Sequence, residues 1–190
     1  RMPLHFLCRN KDMDEEVGLK ILELLIMRYP ESVRHTTSDE GLPLHFAAAW
    51  QSPEFCRILI EAYPGSERIT ATNSLLPFHV ACGLNTIATA KYLYKLYPES
   101  ISVAADDGFY SIHCAIKRVE EDERFGPEAV VEMIQFLLDC DPNVVLQKYQ
   151  DAFPLYWVCR EAKNKARASP KLLPRPFHVE LFQFFTSEVH

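Results

Sequence analysis

The sequence predicts an all-α chain, an α-solenoid of about five helix-turn-helix units joined by short hairpin connectors, and three observations carry that expectation. One phrase recurs five times, as Met2-Pro3-Leu4-His5-Phe6, Leu42-Pro43-Leu44-His45-Phe46, Leu76-Pro77-Phe78-His79-Val80, Tyr110-Ser111-Ile112-His113-Cys114 and Phe153-Pro154-Leu155-Tyr156-Trp157. The interval from His45 to His79, and again from His79 to His113, is 34 residues, and a second phrase, Tyr-Pro-(Glu/Gly)-Ser, repeats at Tyr29, Tyr63 and Tyr97 with the same interval. Between these markers the apolar residues follow helical spacing, with prolines where helices would begin. Two interleaved signals of one period mark a stack of small units that share a strip of core with their neighbours. The units run approximately 1–35, 36–69, 70–103, 104–147 and 148–190 within a single domain, 1–190, expected to be part of a longer chain.

The second unit shows the plan. Pro43 opens a short helix, because the first helical position has no use for an amide hydrogen, and Leu44, Ala47 and Ala48 place apolar contacts at i, i+3 and i+4 as far as Trp50. Gln51 and Ser52 turn the chain, with Ser52 as N-cap and Pro53 at N1 of a second helix whose Phe55, Cys56, Leu59, Ile60 and Tyr63 form the inward stripe. Pro64 ends it, since a residue before proline is pushed out of the α region. The stretch from Gly65 to Leu76 is then expected to travel extended to the next unit. In the third unit Pro77 starts the short helix, Asn85 is expected as a left-handed C-cap and Thr86 as the cap of the longer helix, and Leu93, Leu96 and Tyr97 lead to Pro98.

This plan resembles the ankyrin repeat, whose motif reads Thr-Pro-Leu-His-x-Ala after an acidic-glycine turn; the resemblance covers essentially the whole of 1–190. It implies that His5, His45, His79 and His113 form a ladder of hydrogen bonds tying each inner helix to the preceding hairpin loop, with Tyr156 in the histidine place of the fifth unit. Leu42, Leu76, Tyr110 and Phe153 stand where the family has threonine, and Tyr-Pro stands for its Gly-Ala after the second helix. Asp106-Asp107-Gly108 keeps the acidic-glycine turn, which Asn73-Ser74 echoes.

The period breaks in three places. The first unit carries 6 extra residues around Lys11 to Glu16, and the fourth carries 10 around Val119 to Pro127, with the acidic run Glu120-Glu121-Asp122-Glu123. In the fifth, the Lys-, Arg- and Pro-rich segment from Lys163 to Pro176 delays the second helix to about His178–Val189. All three fall between the two helices of a unit, where an insertion is expected to extend a surface loop.

Composition bounds the function. The net charge of −6 disfavours nucleic acid and anionic membrane as general partners, and no run of 18 apolar residues exists to form a transmembrane segment. Of the six cysteines (Cys8, Cys56, Cys82, Cys114, Cys140 and Cys159), four are read as falling at or next to the same repeat position, inside apolar helical patterns. They read as small buried hydrophobes in an intracellular reducing compartment (cytoplasm, nucleus or organelle interior), not as the disulfides of a secreted protein.

No catalytic motif emerges, and the chain is read as no enzyme and without cofactor. His5 with Cys8 and His79 with Cys82 have the i, i+3 spacing of a ligand pair, but stacked helices lie about 10 Å apart, too far for pairs from neighbouring units to share a zinc held at about 2.0–2.3 Å. A buried thiol is a poor nucleophile. The acids at Asp106-Asp107 and Glu120 to Glu123 read as solvated loop residues. Between Arg160 and Arg175 six basic residues face one acid, Glu161, which reads as a soluble linker.

Function is therefore expected from surface. Ankyrin stacks use a concave side made of hairpin tips and the exposed ends of inner helices, and the resemblance carries this to Arg9, Trp50, Leu84, Lys117, Arg118 and Arg160 on the helix ends and to Asp106, Asp107, Phe109 and Tyr149 at the tips. An apolar and aromatic centre flanked by cations suits a protein partner that is acidic and partly hydrophobic. The expected function is a non-catalytic protein–protein interaction module or scaffold. Two other classes stay open: a structural or accessory subunit of a large multiprotein assembly, and the targeting domain of an enzyme encoded outside this segment.

Overall fold

A computed structural model describes residues 3–38, 41–121 and 127–157, apart from the side chains of residues 107, 118–121 and 127. Among the described residues the fold is all-helical: no strand is present, only an isolated bridge between Tyr149 and Ala152. Eight α-helices follow in chain order: α1 (Pro3–Arg9), α2 (Glu15–Arg28), α3 (Pro43–Trp50), α4 (Pro53–Ala62), α5 (Pro77–Leu84), α6 (Ile87–Leu96), α7 (Ser111–Glu121) and α8 (Pro127–Cys140). Each odd helix packs on the even helix that follows it. The odd helices also touch in succession, α1 on α3, α3 on α5 and α5 on α7, as do α2 on α4, α4 on α6 and α6 on α8.

The core is a strip that runs along this succession. Leu4, Leu22, Leu44, Phe55 and Leu59 fill its first part, and Phe78, Leu93, Ile112, Met133 and Leu137 its second. Ile60 and Tyr92 pack against both. Ala47, Ala48 and Ala81 are fully buried, because only small side chains let neighbouring odd helices approach. Cys8, Cys56, Cys82 and Cys114 are buried and form no disulfide, and burial pushes the thiols of Cys56 and Cys114 up to about 12.

Helix starts follow the sequence closely. Pro43, Pro53 and Pro77 stand at N1, and Ser52 Oγ accepts from the Phe55 amide at 3.3 Å. Tyr63 and Tyr97 end α4 and α6 with φ near −140°, out of the helical region, as the prolines after them require. Asn85 departs from expectation. It is extended (φ −127°), not left-handed, and its buried amide donates to the carbonyls of Ala48 (3.0 Å) and Gln51 (2.8 Å) while Oδ1 accepts from the Thr86 amide at 2.7 Å. Thr86 occupies the N-cap of α6 but makes no capping hydrogen bond with its side chain. Gln51, one interval earlier, does the same work, donating to the carbonyls of Cys8 (3.1 Å) and Asn10 (2.9 Å). The loose carbonyls at the end of one odd helix are thus satisfied by an amide side chain from the next pair.

The connectors are not simply extended. Short 3-10 turns at Pro30–Arg34, Ser66–Arg68 and Pro98–Ser102 follow the even helices, and tight tips follow these, closed by amide-to-carbonyl bonds Thr37 to Gly41 (3.1 Å), Ala71 to Leu75 (2.9 Å) and Ala105 to Phe109 (2.8 Å). The turn needs positive φ at its apex, supplied by Gly108 (79°) and, at the previous tip, by Asn73 (63°) and Ser74 (58°). The extra residues of the first and fourth units also differ from expectation. α2 and α8 each run 14 residues against 10 in α4 and α6, and α7 runs 11 against 8 in α3 and α5, so most of the added length is helix rather than surface loop. The segment 122–126 and everything after 157, including the expected helix at 178–189 and the basic run, lie outside the described residues.

The histidines stitch the pairs together. Nδ1 of His45, His79 and His113 accepts from the amides of Leu42 (3.1 Å), Leu76 (3.0 Å) and Tyr110 (3.2 Å), the residues that end the preceding connectors. With Nδ1 an acceptor, the proton is on Nε2, which reaches forward: His79 donates to Val103 O at 3.0 Å, and His5 to Gly41 O at 3.2 Å. The forward bond, which links the first and third pairs to the connectors after them, was not part of the expected ladder. Burial holds His45, His79 and His113 at a pKa of about 4 and lowers His5 as well.

Two outcomes follow from these contacts. Asn85→Ala leaves buried carbonyls and the Thr86 amide without partners and is expected to lower unfolding free energy by about 2 kcal/mol or more, against about 0.5 kcal/mol or less for Thr86→Ala, measured by urea denaturation. The second concerns pH: the folded state keeps the histidines neutral, whereas the unfolded chain protonates them near 6.5, so unfolding takes up protons below that value. Stability is expected to be level above about pH 7 and to fall as pH drops from 6.5 towards 4, with a slope of up to about 1.4 kcal/mol per pH unit for each fully shifted histidine. Urea midpoints that stay constant across that window would refute the assignment of neutral, backbone-bound imidazoles.

Candidate functional site

The tips and the odd-helix ends meet most closely between α5 and α7. Val80, Gly83 and Leu84 of α5 and Cys114 and Lys117 of α7 line a cavity of about 170 Å³, together with His79 and the tip residues Leu75 and Phe109. The lining is mainly apolar. Lys117 is exposed at its rim and supplies the positive charge. His79 is neutral and already committed to Leu76 and Val103, and the Cys114 thiol is held protonated by burial, so neither offers a nucleophile or a base.

Gly83 matters to this cavity. A Cβ there would stand 3.5 Å from Cys114 Cβ, an ordinary contact, so the packing of α5 on α7 does not demand glycine. Glycine within a helix costs about 1 kcal/mol relative to alanine, and the corresponding position one interval earlier is the buried Ala49. The missing methyl leaves the Gly83 backbone lining the cavity, beside Cys114 of α7.

Phe109 leads from the cavity to an aromatic cluster. Its ring meets Tyr149 edge-on at 4.8 Å, Tyr149 meets Trp157 at 5.0 Å, and His113 lies 5.8 Å from Phe109 and 5.7 Å from Tyr149. Trp157 Nε1 donates to Tyr149 O at 3.3 Å. Phe109, Tyr149 and Trp157 are each half-buried and present part of their rings to solvent. Trp157 was absent from the expected strip. Its place one residue after Tyr156 in the fifth phrase is the signal that finds it, because Phe46 and Cys114, at the same position, also face the preceding pair.

The remaining expected residues are scattered. Arg9 is exposed at the end of α1, with its guanidinium over the Phe46 ring at 5.5 Å, and Trp50 is half-buried at the end of α3. Asp106 joins adjacent tips, accepting from Ser74 Oγ at 2.7 Å. Asp107 lies in the 106–108 turn and Arg118 on α7, their side chains outside the described set, and Arg160 lies outside the described residues altogether. The structure therefore brings Leu84, Phe109 and Lys117 around one cavity, places Tyr149 beside them, and leaves Arg9 and Trp50 on earlier pairs.

Among the described residues no three histidine, cysteine, aspartate or glutamate side chains converge as a metal site would require, and no helix is long and apolar enough to cross a membrane. A scan against protein-family models finds no match, and a search of curated proteins finds no matching relative.

Proposed function

We propose that this chain is an ankyrin-repeat domain, a solenoid of stacked helix pairs, that serves as a non-catalytic protein–protein interaction module and takes an acidic, partly hydrophobic partner along its tips and odd-helix ends. The observation that carries this reading is the cavity between α5 and α7, which gathers Leu84, Phe109 and Lys117 at one opening. An apolar side chain of the partner enters the cavity beside Gly83, and a carboxylate beside it meets the Lys117 ammonium at the rim. The half-exposed rings of Phe109, Tyr149 and Trp157 extend the contact, since large aromatic groups that are already held in place bind with little loss of conformational freedom. The period of 34 residues, the histidines bound to connector backbone and the successive packing of helix pairs support the ankyrin assignment. The buried cysteines, which form no disulfide, support a reducing compartment.

The test is titration of the partner that co-purifies with the intact protein. Leu84→Asp and Lys117→Glu are each expected to weaken binding at least tenfold, about 1.4 kcal/mol, with the melting temperature within a few degrees of the parent. Lys95→Glu, an equal change of charge on exposed α6, leaves affinity unchanged. Equal affinity for all three variants would remove the cavity from the binding face.

A further inference from the structure

We infer that the exposed face of α2 is the seat of a further helix pair built on the same pattern, carried by the polypeptide on the N-terminal side of α1 and presenting an arginine to Tyr29. The face is largely apolar, with exposed Arg28 between Leu24 and Tyr29 and Lys20, paired with Glu16, at its edge. Val17, Ile21 and Leu24, at i, i+4 and i+7, are 50%, 37% and 56% exposed, and Tyr29 beyond them is 68% exposed.

What such a face does elsewhere in the molecule can be read directly. Aligned on the residue before proline (Tyr29, Tyr63, Tyr97 and Asp141), Ile21 corresponds to Phe55, Thr89 and Met133, and Leu24 to Ile58, Tyr92 and Phe136. These residues point back at the preceding pair. Phe55 lies against Gly18 of α2 and is 1% exposed; Thr89 Oγ1 donates to Gln51 O at 3.2 Å; Phe136 meets Tyr94 of α6 edge-on at 5.7 Å and lies under Lys91 of α6.

The tyrosines extend the correspondence to charge. The Arg34 guanidinium sits over the Tyr63 ring at 4.9 Å and that of Arg68 over Tyr97 at 4.3 Å, each arginine five residues after the tyrosine of its own phrase and each covering the tyrosine of the next. At the following junction both members change together, to Ser102 and Asp141. Tyr29 keeps the ring that an arginine of a preceding phrase would cover. The chemistry of the occupant follows: an apolar even helix over Val17, Ile21 and Leu24, and a Tyr-Pro-x-Ser-x-Arg turn over Tyr29. Its source follows from order, because α2 covers α4, α4 covers α6 and α6 covers α8, the earlier pair on the later each time. This inference rests on packing equivalence and is independent of the binding reading above.

The experiment is maleimide labelling of Leu24→Cys, with Ile21→Cys as a second probe and the unsubstituted protein as background. Both are expected to react at least tenfold more slowly in the full polypeptide made by its source than in residues 1–190, and appending a copy of residues 36–69 ahead of residue 1 is expected to reproduce that protection and raise the melting temperature. Adding Tyr29→Ala and Leu24→Asp to the extended chain removes the gain in melting temperature. Equal labelling in the full polypeptide and in residues 1–190 overturns the inference. So does protection of residues 1–190 that grows with its own concentration, which marks a second copy, or that needs anionic phospholipid vesicles, which marks a membrane.

Discussion

The constraint on which the rest depends is that no helix pair in this chain buries its polar ends alone. α1 and α3 finish with carbonyls that an amide side chain of the next pair satisfies, and the connectors carry backbone groups that must bond without a sheet to receive them. Neighbouring pairs supply the missing partners through a few polar side chains: the amides of Gln51 and Asn85, which reach back to the pair before, and the imidazoles of His5 and His79, which reach forward to the connector after their own pair. These groups are nearly all buried, where a hydrogen bond left unmade costs more than one formed returns, so they fix how neighbouring pairs sit. Packing of alanines and leucines then fills a geometry already fixed.

That arrangement explains why the histidines are inert. His79 accepts at Nδ1 and donates at Nε2, away from water, so it has no vacant position, and burial lowers the pKa of His5, His45 and His113 as it does that of His79. The cysteines beside them are likewise held as thiols by burial. Residues that in other surroundings would suggest catalysis are spent on structure here, and the proposed recognition falls to the cavity beside Leu84 and Phe109 and to the rings that run on to Trp157.

Much of this was legible in the sequence because it repeats. The 34-residue interval, the prolines at helix starts, Ser52 as a cap and the stop before Pro64 are local rules, and they gave α3 and α4 their observed limits of Pro43–Trp50 and Pro53–Ala62. The readings that failed concern residues whose local preference was overruled by a distant partner. Asparagine at a helix end suggests a left-handed cap, but Asn85 finds the Ala48 and Gln51 carbonyls and stays extended. Insertions suggest loops, yet in α2, α7 and α8 most of the added residues continue a helix. The site showed the same division: Leu84, Phe109 and Lys117 came from positions counted along the repeat, whereas Arg9 has its own aromatic partner in Phe46 and Asp106 is bound to the neighbouring tip.

The sequence alone determined the helical character, the period and the starts and stops of the short helices, because each depends on residues within one turn or one interval. Only the tertiary structure decided that Gly83 lines a cavity with Leu84, Phe109 and Lys117, that Trp157 closes an aromatic cluster, that arginine covers the next tyrosine and that Val17, Ile21 and Leu24 face water. Those outcomes depend on which side chains from different pairs come within a few ångströms of one another, and spacing along a chain does not fix distances across it.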